Sequence, residues 1–64
     1  MKTKLRELRK ALGMTQKQLA IKSDTPRICI ARYEAGTHQP GITNATKLAA
    51  ALGVTVDELI GKAG

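Results

Sequence analysis

Reactive side chains are scarce in this chain, and the scarcity narrows its chemistry. Cys29 is the one cysteine and His38 the one histidine among 64 residues. One thiol cannot close an internal disulfide, and one thiol with one imidazole cannot complete a four-ligand zinc site. No Ser/His/Asp or Cys/His set stands out, there is no glycine-rich phosphate loop, and no carboxylate pair suits a catalytic cleft. Asp57 and Glu58 fall in the first turn of a helix, where they answer its dipole. The chain therefore reads as a protein that is not an enzyme and needs no cofactor or metal. What remains is cationic binding chemistry. Nine of the eleven Lys/Arg but only three of the five acids lie in residues 1–40, so the whole net charge of +6 sits there and residues 41–64 are neutral. A one-sided basic field suits a polyanion, nucleic acid first and an anionic membrane second; a merely solvated basic surface is the plain alternative.

The membrane is the poorer partner. Lys2, Lys4 and Arg6 are not followed by an apolar run, and the low-polarity stretch 48–54 is too short to span a bilayer. The chain lacks Trp and Phe, and Glu7 interrupts the basic first segment, which disfavours a membrane-surface helix. These features, with the single cysteine, suit a cytoplasmic protein. Tyr33 is the only aromatic residue, so single strands and RNA have almost no stacking platform.

The elements that must carry this charge are short helices. Leu5, Leu8 and Leu12 recur at i, i+3, i+7, and Gly13 stops the segment. Thr15 with Gln18 forms a capping box, with Met14 and Leu19 placed as a staple. Pro26 suits the first turn of a third helix, which Gly36 closes. After a turn at Pro40-Gly41, Ile42, Ala45, Leu48, Ala49 and Leu52 share a register, and Gly53 ends it. Thr55 and Glu58 open the last helix, stapled by Val54 and Leu59. The expectation is a single all-α domain over 1–64, with helices at about 3–12, 16–23, 26–35, 42–52 and 56–61. A domain this small buries roughly 60% of its unfolded surface, so it stands on packing, helped where possible by a partner subunit.

The second and third helices are separated by about three residues, which forces a steep crossing; Ala20 allows close approach, and Leu19, Ile30 and Tyr33 can fill the angle. The stretch G-M-T-Q-K-Q-L-A-I-K-S-D-T-P-R-I-C-I-A-R-Y-E-A-G (13–36) resembles the helix-turn-helix motif of the phage repressor and Cro family. L-R-E-L-R-K-A-L before it and K-L-A-A-A-L-G-V-T-V-D-E-L-I after it resemble that family's first and last helices, so the likeness runs from Leu5 to Ile60.

The resemblance implies a lambda-repressor-like fold whose third helix reads double-stranded DNA in the major groove. It implies that Arg27, Ile28 and Arg32 reach base edges. An arginine would bond guanine; Ile28, if it faces the groove and is not tucked into the core, would meet a thymine methyl. It assigns phosphate contacts to Gln16, Lys17, Thr25, Thr37, His38 and Gln39, and a structural ion pair to Arg9 and Glu34. Cys29 and Tyr33 fall to the core, and apart from the resemblance His38 reads as a solvated loop residue, with phosphate contact the alternative. Three residues depart from the family pattern. Asp24 replaces a turn glycine, Ser23 an apolar residue, and Pro26 falls at the usual cap of the third helix. Either Thr25 caps a helix that starts one residue early, or Pro26 is itself the cap. The expected function is sequence-specific DNA binding by a homodimer on a palindromic operator, as a transcriptional regulator and more often a repressor. A protein-interaction module, such as an antitoxin gripping a toxin, is the alternative.

Overall fold

In a computed structural model, residues 4–61 are described. They form five helices: α1 (Leu5–Ala11), α2 (Gln16–Ser23), α3 (Arg27–Ala35), α4 (Ile42–Leu52) and α5 (Val56–Leu59), with no strand among the described residues. The all-α five-helix expectation holds. Its bounds shift slightly: α1 starts at Leu5, with position 3 outside the described residues, and α5 stops at Leu59 rather than 61.

Each helix contributes one fully buried aliphatic side chain to a shared core: Leu5, Leu19, Ile30, Leu48 and Leu59. Tyr33, Ala45, Ala49, Ala51 and Leu52 complete it, and Leu8, Met14, Ala20, Cys29, Val54 and Val56 pack around it. The small residues of α4 let α2 lie close against that helix. The two capping boxes form as their sequences demand. Thr15 Oγ1 accepts from the Gln18 N–H at 3.1 Å, and Thr55 Oγ1 from the Glu58 N–H at 3.1 Å. The Lys4 N–H donates to the Leu59 carbonyl at 2.8 Å, tying the start of α1 to the end of α5.

Two apolar residues expected inside lie outside. Leu12 is 54% exposed because α1 ends at Ala11 and the chain turns at Gly13, bringing Met14 to the core instead. Ile42 is 76% exposed. It opens α4 on a turn where Asn44, not Ile42, meets α3, its Nδ2 donating to the Tyr33 hydroxyl at 2.9 Å.

The turn between α2 and α3 settles the three departures. Asp24 adopts the left-handed conformation (φ 52°) that a glycine would take there. The Asp24 N–H then bonds the Ile21 carbonyl and the Thr25 N–H the Ala20 carbonyl, closing α2 by the pattern that glycine ends elsewhere use. Ser23 is buried but satisfied, its hydroxyl donating to the Leu19 carbonyl at 2.7 Å. Pro26 is the cap itself (φ −57°, ψ 137°), and α3 begins at Arg27.

Candidate nucleic-acid interface

The helical repeat of about 100° per residue divides α3 into two faces. Cys29, Ile30, Tyr33 and Glu34 turn inward, all buried or half-buried. Arg27, Ile28, Ala31 and Arg32 occupy the opposite arc; Ala31 is half-buried, Arg27 and Arg32 are exposed, and Ile28 is 59% exposed. Neither Arg27 nor Arg32 has a carboxylate partner among the described residues. Gln16, the first residue of α2, joins Arg27, Ile28 and Ala31 around a shallow depression. A second one, lined by Thr15, Gln16, Lys17 and Arg27 among others, adjoins it at the start of α2. There the first N–H groups of the helix lack intrahelical acceptors, a setting that favours anionic groups.

Behind this surface lies a polar brace. Arg9 of α1 donates from Nε to Glu34 Oε2 at 2.7 Å and from Nη2 to Oε1 at 2.9 Å, and its Nη1 reaches the Met14 carbonyl at 2.8 Å. Gln16 Nε2 donates to the same Glu34 Oε1 at 3.1 Å, and Arg6 Nε stands 4.0 Å away. Three helices are thereby pinned through one carboxylate. Burial pushes the Glu34 carboxyl upward, but the hydrogen bonds from Arg9 and Gln16 and the charges of Arg9 and Arg6 outweigh it and hold it below the usual carboxylate range. The hydrogen bond to Glu34 raises Arg9 against its own desolvation.

The other expected site residues divide. Lys17 is exposed on α2, and Thr37, His38 and Gln39 are exposed in the loop after α3, with His38 Nδ1 3.2 Å from Thr37 Oγ1. Thr25 does not join them. The left-handed Asp24 turns it inward, where it is buried and its hydroxyl donates to the Ser23 carbonyl at 3.2 Å. Its expected phosphate contact is therefore withdrawn. Sequence reasoning missed the tie of Gln16 to Glu34 and that of Asn44 to Tyr33. Both cross between helices, so no local spacing signals them.

The pattern of the helix-turn-helix family matches residues 5–59. The chain belongs to that family. This helix-turn-helix chain is 36% identical over 61 residues to the cryptic phage CTXphi transcriptional repressor RstR of Vibrio cholerae, a match covering 95% of the chain and 54% of that repressor. The chain thus spans about half the length of RstR. It is 42% identical over 53 residues to an HTH-type transcriptional regulator of Methanothermobacter thermautotrophicus, covering 83% of the chain and 77% of the relative. Among solved structures, the restriction-modification controller protein C.AhdI from Aeromonas hydrophila superposes with a TM-score of 0.81 at 38% identity, covering 86% of this chain and 83% of that one. The helix-turn-helix pair here is α2 and α3, joined by Asp24, Thr25 and Pro26. Among the described residues no helix is long and apolar enough to cross a membrane, and no group of three or more His, Cys, Asp or Glu could hold a metal ion.

Proposed function

We propose that this protein binds double-stranded DNA sequence-specifically as a homodimer on a palindromic operator and represses transcription by covering a promoter. The observation that carries the reading is the outward arc of α3, where Arg27 and Arg32 project without acidic partners on either side of Ile28. Buried or paired arginines would be unable to reach a groove; these are exposed and share one face. In this reading α3 enters the major groove, and Arg27 or Arg32 bonds guanine through O6 and N7. Gln16 and Lys17 at the start of α2, with Thr37, His38 and Gln39 in the following loop, hold phosphates on either side of it. The brace of Arg9, Glu34 and Gln16 fixes α2 and α3 relative to one another, so that anchoring and reading keep one register.

Selection of bound sites from a random duplex pool tests the proposal. A recovered inverted repeat supports a twofold dimer with α3 in each half-site. An unstructured pool with no enriched sequence contradicts it.

A further inference from the structure

Ile28 is an anomaly on its own surface. It is an aliphatic side chain, 59% exposed, set between Arg27 and the arc that ends at Arg32. It takes no part in the core, where Ile30, two positions on, fills the buried slot of the same helix completely. Its surroundings are also shaped. Ala31, one turn along, extends the apolar surface, while Arg27 and the Gln16 side chain form the polar edge of the same depression. Gln16 is held in place there by its bond to the buried Glu34 carboxylate, so that edge is fixed.

The chemistry that complements this notch is narrow. It needs a small apolar group presented in a strongly anionic setting, with the acceptors that an arginine can bond, guanine O6 and N7, on a neighbouring base rather than on the base that bears the methyl. Among the four ordinary bases, the major groove offers only one apolar group, the C5-methyl of thymine. A cytosine methylated at C5 carries a methyl at the same ring position. We propose that Ile28 and Ala31, edged by Arg27 and Gln16, form a site for a 5-methylpyrimidine. The site reads the methyl group rather than the base that bears it, so 5-methylcytosine is bound as thymine is. The inference rests on the reading of α3 as the groove-entering helix, and it adds that cytosine methylation at one position of each half-site strengthens binding.

The experiment uses the duplex recovered by selection. Each thymine of one half-site is replaced in turn by uracil, which removes the methyl and keeps the pairing. One position should then lose about fourfold in affinity, as expected for one buried methyl group, while the others change little. At that position a C·G pair and a 5-methyl-C·G pair are compared next, and the methylated pair should bind about fourfold more tightly. In Ile28→Ala both methyl effects should vanish, whereas Ile28→Val should keep most of each. Thermal melting checks that both exposed-site variants remain folded. A selected duplex in which no position responds to the methyl, or a response that survives Ile28→Ala, overturns the inference and leaves the DNA-binding proposal standing. Failure to select any duplex overturns both.

Discussion

Arg27 and Gln16 line the same depression yet are proposed to do different work, and substitution separates them. Arg27→Ala removes a side chain able to make two bonds to one guanine. It should relax preference at one position per half-site, by about 1–3 kcal/mol of discrimination. Gln16→Ala removes a phosphate contact together with one hydrogen bond to Glu34, and should weaken all duplexes nearly alike, with the preference at the Arg27 position unchanged. Competition binding against single-position variants of the site measures both; a uniform loss from both changes would erase the distinction. Glu34 acts on stability as well. Its side chain is 4% exposed and Arg9's is 9% exposed, so Glu34→Ala would strand a buried guanidinium. The expected loss is about 3–5 kcal/mol, enough to unfold most of so small a domain. The pH dependence has a definite sign. Because Glu34's carboxyl titrates lower in the folded chain than in the unfolded one, its stabilisation is complete above the ordinary carboxylate range. It fades as pH falls through the depressed folded value. Melting curves in acid should therefore be shallower in pH for Glu34→Gln than for the parent protein, and equal slopes would deny the carboxylate this role.

At the scale of elements, the corner between α2 and α3 carries both the proposed recognition geometry and the backbone strain at Asp24. Asp24 is the only non-glycine residue with positive φ among the described residues. Left-handed backbone costs an ordinary residue roughly 1–2 kcal/mol, and somewhat less for Asp. Asp24→Gly relieves that strain and also removes an acid from the C-terminal end of α2, against a modest entropic cost of glycine in the unfolded chain. The variant should be more stable by up to about 1 kcal/mol, raising Tm by several degrees. Asp24→Ala, which keeps the strain and loses the side chain's local hydrogen-bonding capacity, should melt lower than the parent. A shift in the same direction for both would show that backbone strain is not the controlling factor. This corner also marks how far the sequence could be read. The two capping boxes and the glycine stops are local patterns, and the helices formed where they pointed. The left-handed turn at Asp24 was foreseeable from its glycine-like place. Its consequence for Thr25 was not, because which way that side chain points depends on how the turn folds its N–H back to Ala20. In α3 the i, i+3 pair Ile30 and Tyr33 marked the inward face, whereas Ile28, two positions before Ile30, carried no local signal of the side it takes. The tie of Gln16 to Glu34, across 18 residues of chain, only packing could reveal.

The charge is unevenly divided along the chain, and that asymmetry bears on how two copies could share one site. Its extents are 29 × 23 × 19 Å, so one copy matches a single half-site. Centres of adjacent half-sites on one face of B-form DNA lie about 34 Å apart, so neighbouring copies would touch over a small area. Such a contact works only if it does not set like charges against each other. The cations are concentrated in residues 1–40, whereas residues 41–64, which hold α4 and α5, are neutral overall. Two copies meeting through the neutral half would keep their basic halves on the DNA and away from each other. A small interface of this kind predicts weak association in solution and cooperative loading on the duplex. Sedimentation should show mostly monomer at low micromolar concentration, while titration of a selected inverted repeat should saturate at two copies with a steep isotherm. Affinity should fall with salt by about 0.9 log units per log unit for each phosphate neutralised. Lys17→Ala should lower that slope by about one without altering the preferred sequence. Saturation at one copy would rule out the dimer while sparing the recognition helix. A flat salt response would instead remove the electrostatic basis for placing the basic half on DNA at all.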